Sequence, residues 1–326
     1  MYIANVRRRH KRKRRKFLSY FNEWFEFIHT PGLALSTVKR YEQELRLRLN
    51  NSQIMQLPID KVKAIDIHIF YKSLQTNNSS INSIRIIHNL LSAFFKYCVK
   101  EEILIKNPMD AVQFPKFSEI KLNKKRHLTN QDVKKILTHA ETYIEAFIFI
   151  FAIFTGLRQG EILALTYKDL EDDKVWVSKT IYILDQKIIC SKGKTSKSIR
   201  DVPLLSNLMP MYEAHIALEK EKHRKRGILF SEESIVFSSH TCGYINGRTL
   251  RRKLSDLCEQ LDIEPINFHG LRHTFCTNLA KGGVGLKTAS LLMGHTNPNT
   301  TMRVYTHVQE EDKLHGVASL GGMFFK

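Results

Sequence analysis

An arginine in the run Thr155-Gly156-Leu157-Arg158-Gln159-Gly160-Glu161 is followed far along the chain by His269-Gly270-Leu271-Arg272 and by Gly294-His295. Tyr305 stands ten positions after that last histidine. Two guanidiniums neutralise the non-bridging oxygens of a phosphate through forked, charge-assisted hydrogen bonds. Two imidazoles donate to it or move protons, and a phenol attacks phosphorus and becomes covalently attached. Opening a phosphodiester passes through a transition state rich in negative charge, so catalysis depends on cations aimed at that charge. Together these residue types could break and reseal a DNA strand without a metal or any other cofactor.

Each residue also has a plainer reading. Arg158 could simply pair with Glu161 three positions on, with Glu161 orienting the guanidinium or capping the next helix. His269 and Arg272, three apart at a helix start, are expected to face one point. His273 and His307 adjoin the motif residues and read as structural neighbours, and Tyr167, Tyr182, Tyr212 and Tyr244 read as packing residues. Gly294 predicts a tight helix-to-loop turn that presents His295. A free phenol titrates at about 10, so Tyr305 needs a proton acceptor or nearby cations, which His269 and the arginines are expected to supply. A departing 5′ oxygen needs a proton. The stretch SKGKTSKSIRDVPL at 191–204 offers Lys192, Lys194 and Lys197 for that, or all three as phosphate contacts on a loop.

The elements that must position these groups follow from periodicity. Phe17, Phe21, Trp24 and Ile28 form one apolar helical stripe. Ser36 is expected to cap a second helix with Val38, Tyr41 and Leu45, and Asp66 a third with Ile67, Phe70, Tyr71 and Leu74. Ile84, His88, Leu91, Phe95 and Cys98 mark a fourth, with His88 a satisfied core histidine. Asn107-Pro108 closes this bundle, and residues 111–125 have no sustained period. Thr129 and Asp132 resemble a capping box that opens a second domain. There Val175, Val177, Ile181, Ile183, Ile188, Ile189, Ile199 and Val202 predict a small antiparallel sheet with turns at Asp185-Gln186 and Ser191-Lys192-Gly193. Helices return after Pro210, apart from a short strand at Ile235–Phe237. The chain is thus expected to comprise a basic arm (1–16), a helical domain (17–110), a linker (111–125), a second domain (126–310) and a tail (311–326).

Bulk properties agree. At 326 residues two cores are expected. Lysine and arginine outnumber aspartate and glutamate by 51 to 32, which favours a polyanion, with nucleic acid first and an anionic membrane second. Residues 7–16, RRRHKRKRRK, carry nine of those cations and read as a phosphate-binding arm, a solvated tail or a nuclear signal. The most apolar run, Ala146–Phe154, is nine residues, too short for a bilayer that needs about twenty. The first seventeen residues lack an apolar signal segment, so the expected location is cytoplasmic. Five scattered cysteines without a CxxC pair argue against a disulfide framework or a zinc site.

The ordered motifs resemble the tyrosine recombinases, the family of phage integrases and chromosome-dimer resolving enzymes. TGLRQGEILAL at 155–165, FHGLRHTFCTNLAKGG at 268–283 and LLMGHTNPNTTMRVYTH at 291–307 carry the resemblance, which runs from about Ser36 to Val308. It implies a two-domain protein of the DNA breaking-rejoining type: an all-α core-binding bundle and a mainly α, mixed α+β catalytic domain with a small antiparallel sheet. It further implies catalytic roles for Arg158, Lys194, His269, Arg272 and His295, with Tyr305 as the nucleophile. His269 would accept the phenol proton or bind the phosphate, His295 would donate to a non-bridging oxygen, and Lys194 would protonate the leaving group. The implied partners are double-stranded DNA, a homotetramer on two DNA sites, and accessory DNA-bending or directionality proteins, with no cofactor and no membrane. A type IB topoisomerase and a non-catalytic DNA-binding protein are the alternatives.

Overall fold

The computed structural model describes residues 16–116, 126–171, 173–184, 187–192, 199–295 and 297–311. The basic block before Lys16, the Asp185-Gln186 turn, Lys194, Lys197, most of the expected linker and the tail after residue 311 lie outside them. The chain divides into two compact units between Leu122 and Asn123.

The first unit is helical. Helix α1 (Phe17–Trp24) buries Phe17, Phe21 and Trp24, which meet Phe94 at ring separations of 5.1–5.4 Å. It runs into a wide turn, Phe25–His29, in which the Thr30 amide reaches back five residues to the Phe25 carbonyl. The extra residue rotates Ile28 off the stripe, leaving it 54% exposed rather than packed. Helix α2 (Leu35–Glu44) already includes Ser36, which therefore does not cap it. Its continuation Leu45–Leu49 buries Leu45 and Leu49. Helix α3 (Ala64–Thr76) begins before Asp66, so that carboxylate is not the cap residue. From the first turn it accepts from the Lys63 amide at 2.8 Å, a donor the helix cannot satisfy itself. Helix α4 (Ile81–Lys100) is capped by Ser80, which accepts from the Ser83 amide. Tyr71 Oη lies 2.9 Å from His88 Nδ1, so this histidine is partnered within the bundle as expected. Ile54, Met55 and Ile59 also enter the core from short 3₁₀ turns with no readable period.

In the second unit, Thr129 and Asp132 form the reciprocal cap of α5 (Asn130–Thr142). Helix α6 (Phe147–Thr155) is apolar on every side and becomes the buried centre of the unit. A short helix α7 (Gln159–Ile162) follows. Four strands come next: β1 (Lys174–Val177), β2 (Lys179–Leu184), β3 (Lys187–Lys192) and β4 (Arg200–Pro203). Among the described residues they form two antiparallel ladders, β1 with β4 and β2 with β3. Ser191 and Lys192 belong to β3, not to a turn, because they pair with Thr180 and Lys179. Ile235–Phe237 forms no strand. Ile235 makes an isolated bridge to Thr166, flanked by the Tyr167 amide on the Ser234 carbonyl and the Val236 amide on the Leu165 carbonyl. Helices α8 (Met209–Lys225), α9 (Gly247–Gln260), α10 (Phe268–Lys281), α11 (Leu286–Met293) and α12 (Asn299–Glu311) complete the unit. Helix α10 packs on α6, and α12 packs on α10. The motif residues are therefore hung on the central helix. Among the described residues no helix is long and apolar enough to cross a membrane.

Candidate active site

The site is assembled from two chain reversals and the first turn of α10. Helix α6 ends at Gly156, whose φ of +62° is left-handed. A side chain there would also run into the Phe275 ring, with Cβ only 2.2 Å away. The chain turns, buries Leu157 completely and places Arg158 immediately before α7. Glu161 serves both expected purposes. One oxygen accepts from the Arg158 amide and the other from Arg158 Nη1, each at 2.8 Å. The plain reading of Arg158 as an ion pair is thus correct but incomplete. Its Nη2 donates to the Gly294 carbonyl at 2.9 Å, and the side chain stays 44% exposed.

Asn267 caps α10 by accepting from the Gly270 amide, which sets the helix start carrying His269 and Arg272. His269 is exposed, whereas Arg272 is only 2% exposed. The Arg272 guanidinium donates through Nη1 to the Gly156 carbonyl at 2.6 Å and through Nη2 to the Met293 carbonyl. It thereby ties the turn before Arg158 to the turn before His295. Burial, followed by the nearby Arg158 charge, lowers its pKa to about 9, so it remains cationic at neutral pH.

Gly294 closes α11 with φ of +58° and delivers His295, as its position predicted. His295 Nδ1 lies 2.7 Å from Thr301 Oγ1, a fully buried hydroxyl on α12. Burial first, and then the charges of Arg272, Arg158, His269 and Arg200, push the imidazole down to about 4. These groups act on one another, so the structure brings Arg158, Arg272, His269 and His295 into one neighbourhood. His273 turns to other partners, lying 3.3 Å from Thr277 Oγ1 and stacking near His127.

Tyr305 departs from expectation. It is 6% exposed, packed with Cys276, Ala289 and Met293, and its hydroxyl donates to the Val284 carbonyl at 2.8 Å. Burial, with a contribution from Cys276, raises its pKa to about 12. The cations expected to favour the phenolate do not lower it here, because desolvation penalises the anion. Of the candidate lysines, Lys192 ends β3, and Lys194 and Lys197 fall outside the described residues.

One participant was missed. Arg200, on β4, is 8% exposed and donates through Nη2 to Glu161 at 2.9 Å and through Nε to the Leu292 carbonyl at 2.8 Å. Burial pushes the Glu161 carboxyl up, but the hydrogen bond and charge of Arg200, then those of Arg158, hold it at about 2. A signal was present: the inward position of Val202 puts Arg200 inward as well, by the two-residue period of a strand. Two guanidiniums thus grip one carboxylate, Arg272 lies near enough to feel its charge, and the surplus positive charge suits an incoming phosphate.

Comparison with known proteins gives the same direction. The model of the phage integrase family matches residues 126–312. A tyrosine recombinase XerC-like protein of Caldanaerobacter subterraneus subsp. tengcongensis is 31% identical over 317 residues, covering 92% of this chain and 81% of that protein. Among solved structures, the Tn1549 transposon integrase in complex with transposon right end DNA superposes with a TM-score of 0.81 at 20% identity, covering 94% of this chain and all of that one. A lambda integrase tetramer bound to a Holliday junction gives a TM-score of 0.67 at 18% identity, covering 89% and 77%.

Proposed function

Because this chain belongs to the phage integrase family and is a tyrosine-type site-specific DNA recombinase, we propose that it cleaves DNA through a 3′-phosphotyrosine made by Tyr305 and exchanges strands through a Holliday junction. The observation that carries this reading is the open face of Arg158 beside His295, backed by the buried charge of Arg272. In a low-dielectric setting a fixed cation acts strongly on a developing phosphorane charge, and it needs no reorganisation when the charge appears.

In the cleavage step the Tyr305 oxygen forms a bond to phosphorus and the bond from phosphorus to the 5′ oxygen breaks. His269 takes the phenol proton, Arg158 and His295 hold the non-bridging oxygens, and Lys194 protonates the departing 5′ oxygen. Neutral His295 is a suitable donor at pH 7: if Thr301 supplies the hydrogen to Nδ1, the ring proton sits on Nε2. The 5′-hydroxyl of a partner strand then reverses the step, and the phenol is regenerated. Bond energy stays in the protein linkage, so ATP is not needed. Tyr305 must first exchange the Val284 carbonyl for the phosphate, giving up one hydrogen bond worth about 1 kcal/mol. We assign the working form to a homotetramer on two double-stranded DNA sites in the cytoplasm, assisted by accessory DNA-bending or directionality proteins.

The polarity of the break tests this reading. On duplexes drawn from the DNA flanking its own coding sequence, the protein should remain on the 3′ end of the cut strand. The other fragment should carry a free 5′-hydroxyl that a polynucleotide kinase labels. Attachment to the 5′ end contradicts the mechanism, and relaxation of supercoils without exchange between two sites assigns a topoisomerase instead.

A further inference from the structure

We propose that Arg200 is a positioning residue for strand cleavage, a clamp that holds the Arg158 loop and the His295 turn in register; the proposal rests on the reading above. Its guanidinium spans both reversals. Nη1 and Nη2 fork onto the two oxygens of Glu161, at 3.3 and 2.9 Å, and Glu161 in turn holds the Arg158 guanidinium and amide. Nε donates to the Leu292 carbonyl, two residues before Gly294. The guanidinium also lies flat against Gly294 itself. A Cβ at that position would stand 2.8 Å from Nη1 and 3.0 Å from Cζ. Gly294 is therefore required twice, for its left-handed φ and for the approach of Arg200.

Burial decides between contact and support. The Arg158 side chain is 44% exposed, so it has a face to offer a phosphate, while that of Arg200 is 7% exposed and spends its fork on protein acceptors. Arg200 thus reaches the reaction through others. Without it, Glu161 keeps Arg158 as its one hydrogen-bonded guanidinium, and the Leu292 carbonyl just before Gly294 loses its tie to β4. Arg158 and His295, whose side chains approach the phosphate from those two segments, then drift relative to each other. A misplacement of about 1 Å is enough to cost about a hundredfold in rate.

The test compares wild type with Arg200→Lys, which keeps the charge but not the fork, and with Arg200→Gln, which keeps neither. The probe is a set of nicked duplexes from the flanking DNA, on which covalent adduct accumulates because the cut fragment diffuses away. Single-turnover cleavage per folded molecule, duplex affinity and thermal unfolding are measured together. Arg200→Gln should cut about a hundredfold more slowly with its affinity unchanged, and Arg200→Lys should fall between it and wild type. Glu161→Gln combined with Arg200→Gln should be no slower than the slower single variant, since both remove one clamp. Unchanged cleavage, losses that multiply independently, or a loss that only follows the folded fraction would overturn the proposal. So would failure of both Arg200 variants to fold, because Arg200 would then be a folding residue. An absence of adduct with the wild-type protein would overturn the functional reading instead.

Discussion

Arg272 donates to the carbonyl of Gly156, 116 positions earlier in the chain, at 2.6 Å. One motif's arginine is thus anchored on the helix end that launches the other motif's arginine. The same guanidinium reaches Met293, so the turns presenting Arg158 and His295 share a buried centre. This explains how loops acquire the rigidity that phosphate chemistry needs.

Gly156→Ala tests that centre. A side chain must adopt a left-handed φ, costing about 1–2 kcal/mol, and must also displace the Phe275 ring, costing about 1–3 kcal/mol more. Denaturant unfolding should show a combined loss of about 3 kcal/mol, partly recovered by adding Phe275→Leu. A variant as stable as wild type would mean that the turn relaxes freely.

Glu161→Gln leaves two guanidiniums facing a neutral amide. Breaking a buried ion pair costs about 3–5 kcal/mol at neutral pH. The folded carboxyl lies at about 2, below its ordinary 4.5, so its contribution is present above pH 4.5 and is lost as the pH falls toward 2. Unfolding free energies of wild type and variant should therefore converge in that window. A constant gap across it would remove the ionised carboxylate from the account.

His295 gives a second pH window. Its folded value of about 4 lies below the ordinary 6.5, so the unfolded chain binds more protons between the two. Stability from this residue is full above pH 6.5 and falls as the pH drops toward 4. His295→Gln should flatten the stability slope in that range relative to wild type, and an identical slope would place the imidazole in an ordinary solvated setting.

Lys194 is tested by placing sulfur at the 5′ bridging position of the scissile phosphate. A thiol with a pKa of about 8.5 leaves without help, whereas an alkoxide needs a proton. Lys194→Ala should lose about a hundredfold on normal DNA and recover most of it on the sulfur strand. Arg158→Ala and Arg272→Ala should stay slow on both. Equal impairment of Lys194→Ala on the two strands would pass the acid role to Lys192 or Lys197.

Much of this was legible in the chain itself. The fixed order of reactive types singled out Arg158, His269, Arg272, His295 and Tyr305 as candidates, and the first four share one neighbourhood in the fold. The helices of the first unit followed from apolar spacing, except where a wide turn turned Ile28 outward. Contacts between distant segments were not readable. Arg200 sat in a stretch read for Ile199 and Val202, yet Ile199 is 42% exposed and the charged residue faces inward. Nor did the types reveal that Tyr305 docks on Val284, because that carbonyl belongs to the turn between α10 and α11 and has no sequence signature.

The most direct measurement is the identity of the residue joined to DNA. Wild type and Tyr305→Phe are incubated with the same nicked duplexes, the adducts are digested, and the nucleotide-bearing peptide is sequenced by mass spectrometry. Wild type should yield one peptide modified at Tyr305. Tyr305→Phe should give none while binding the duplex as wild type does, with stability lower by only about 1 kcal/mol for the lost hydrogen bond to Val284. A covalent adduct with Tyr305→Phe, or a wild-type adduct on any other residue, would contradict the account.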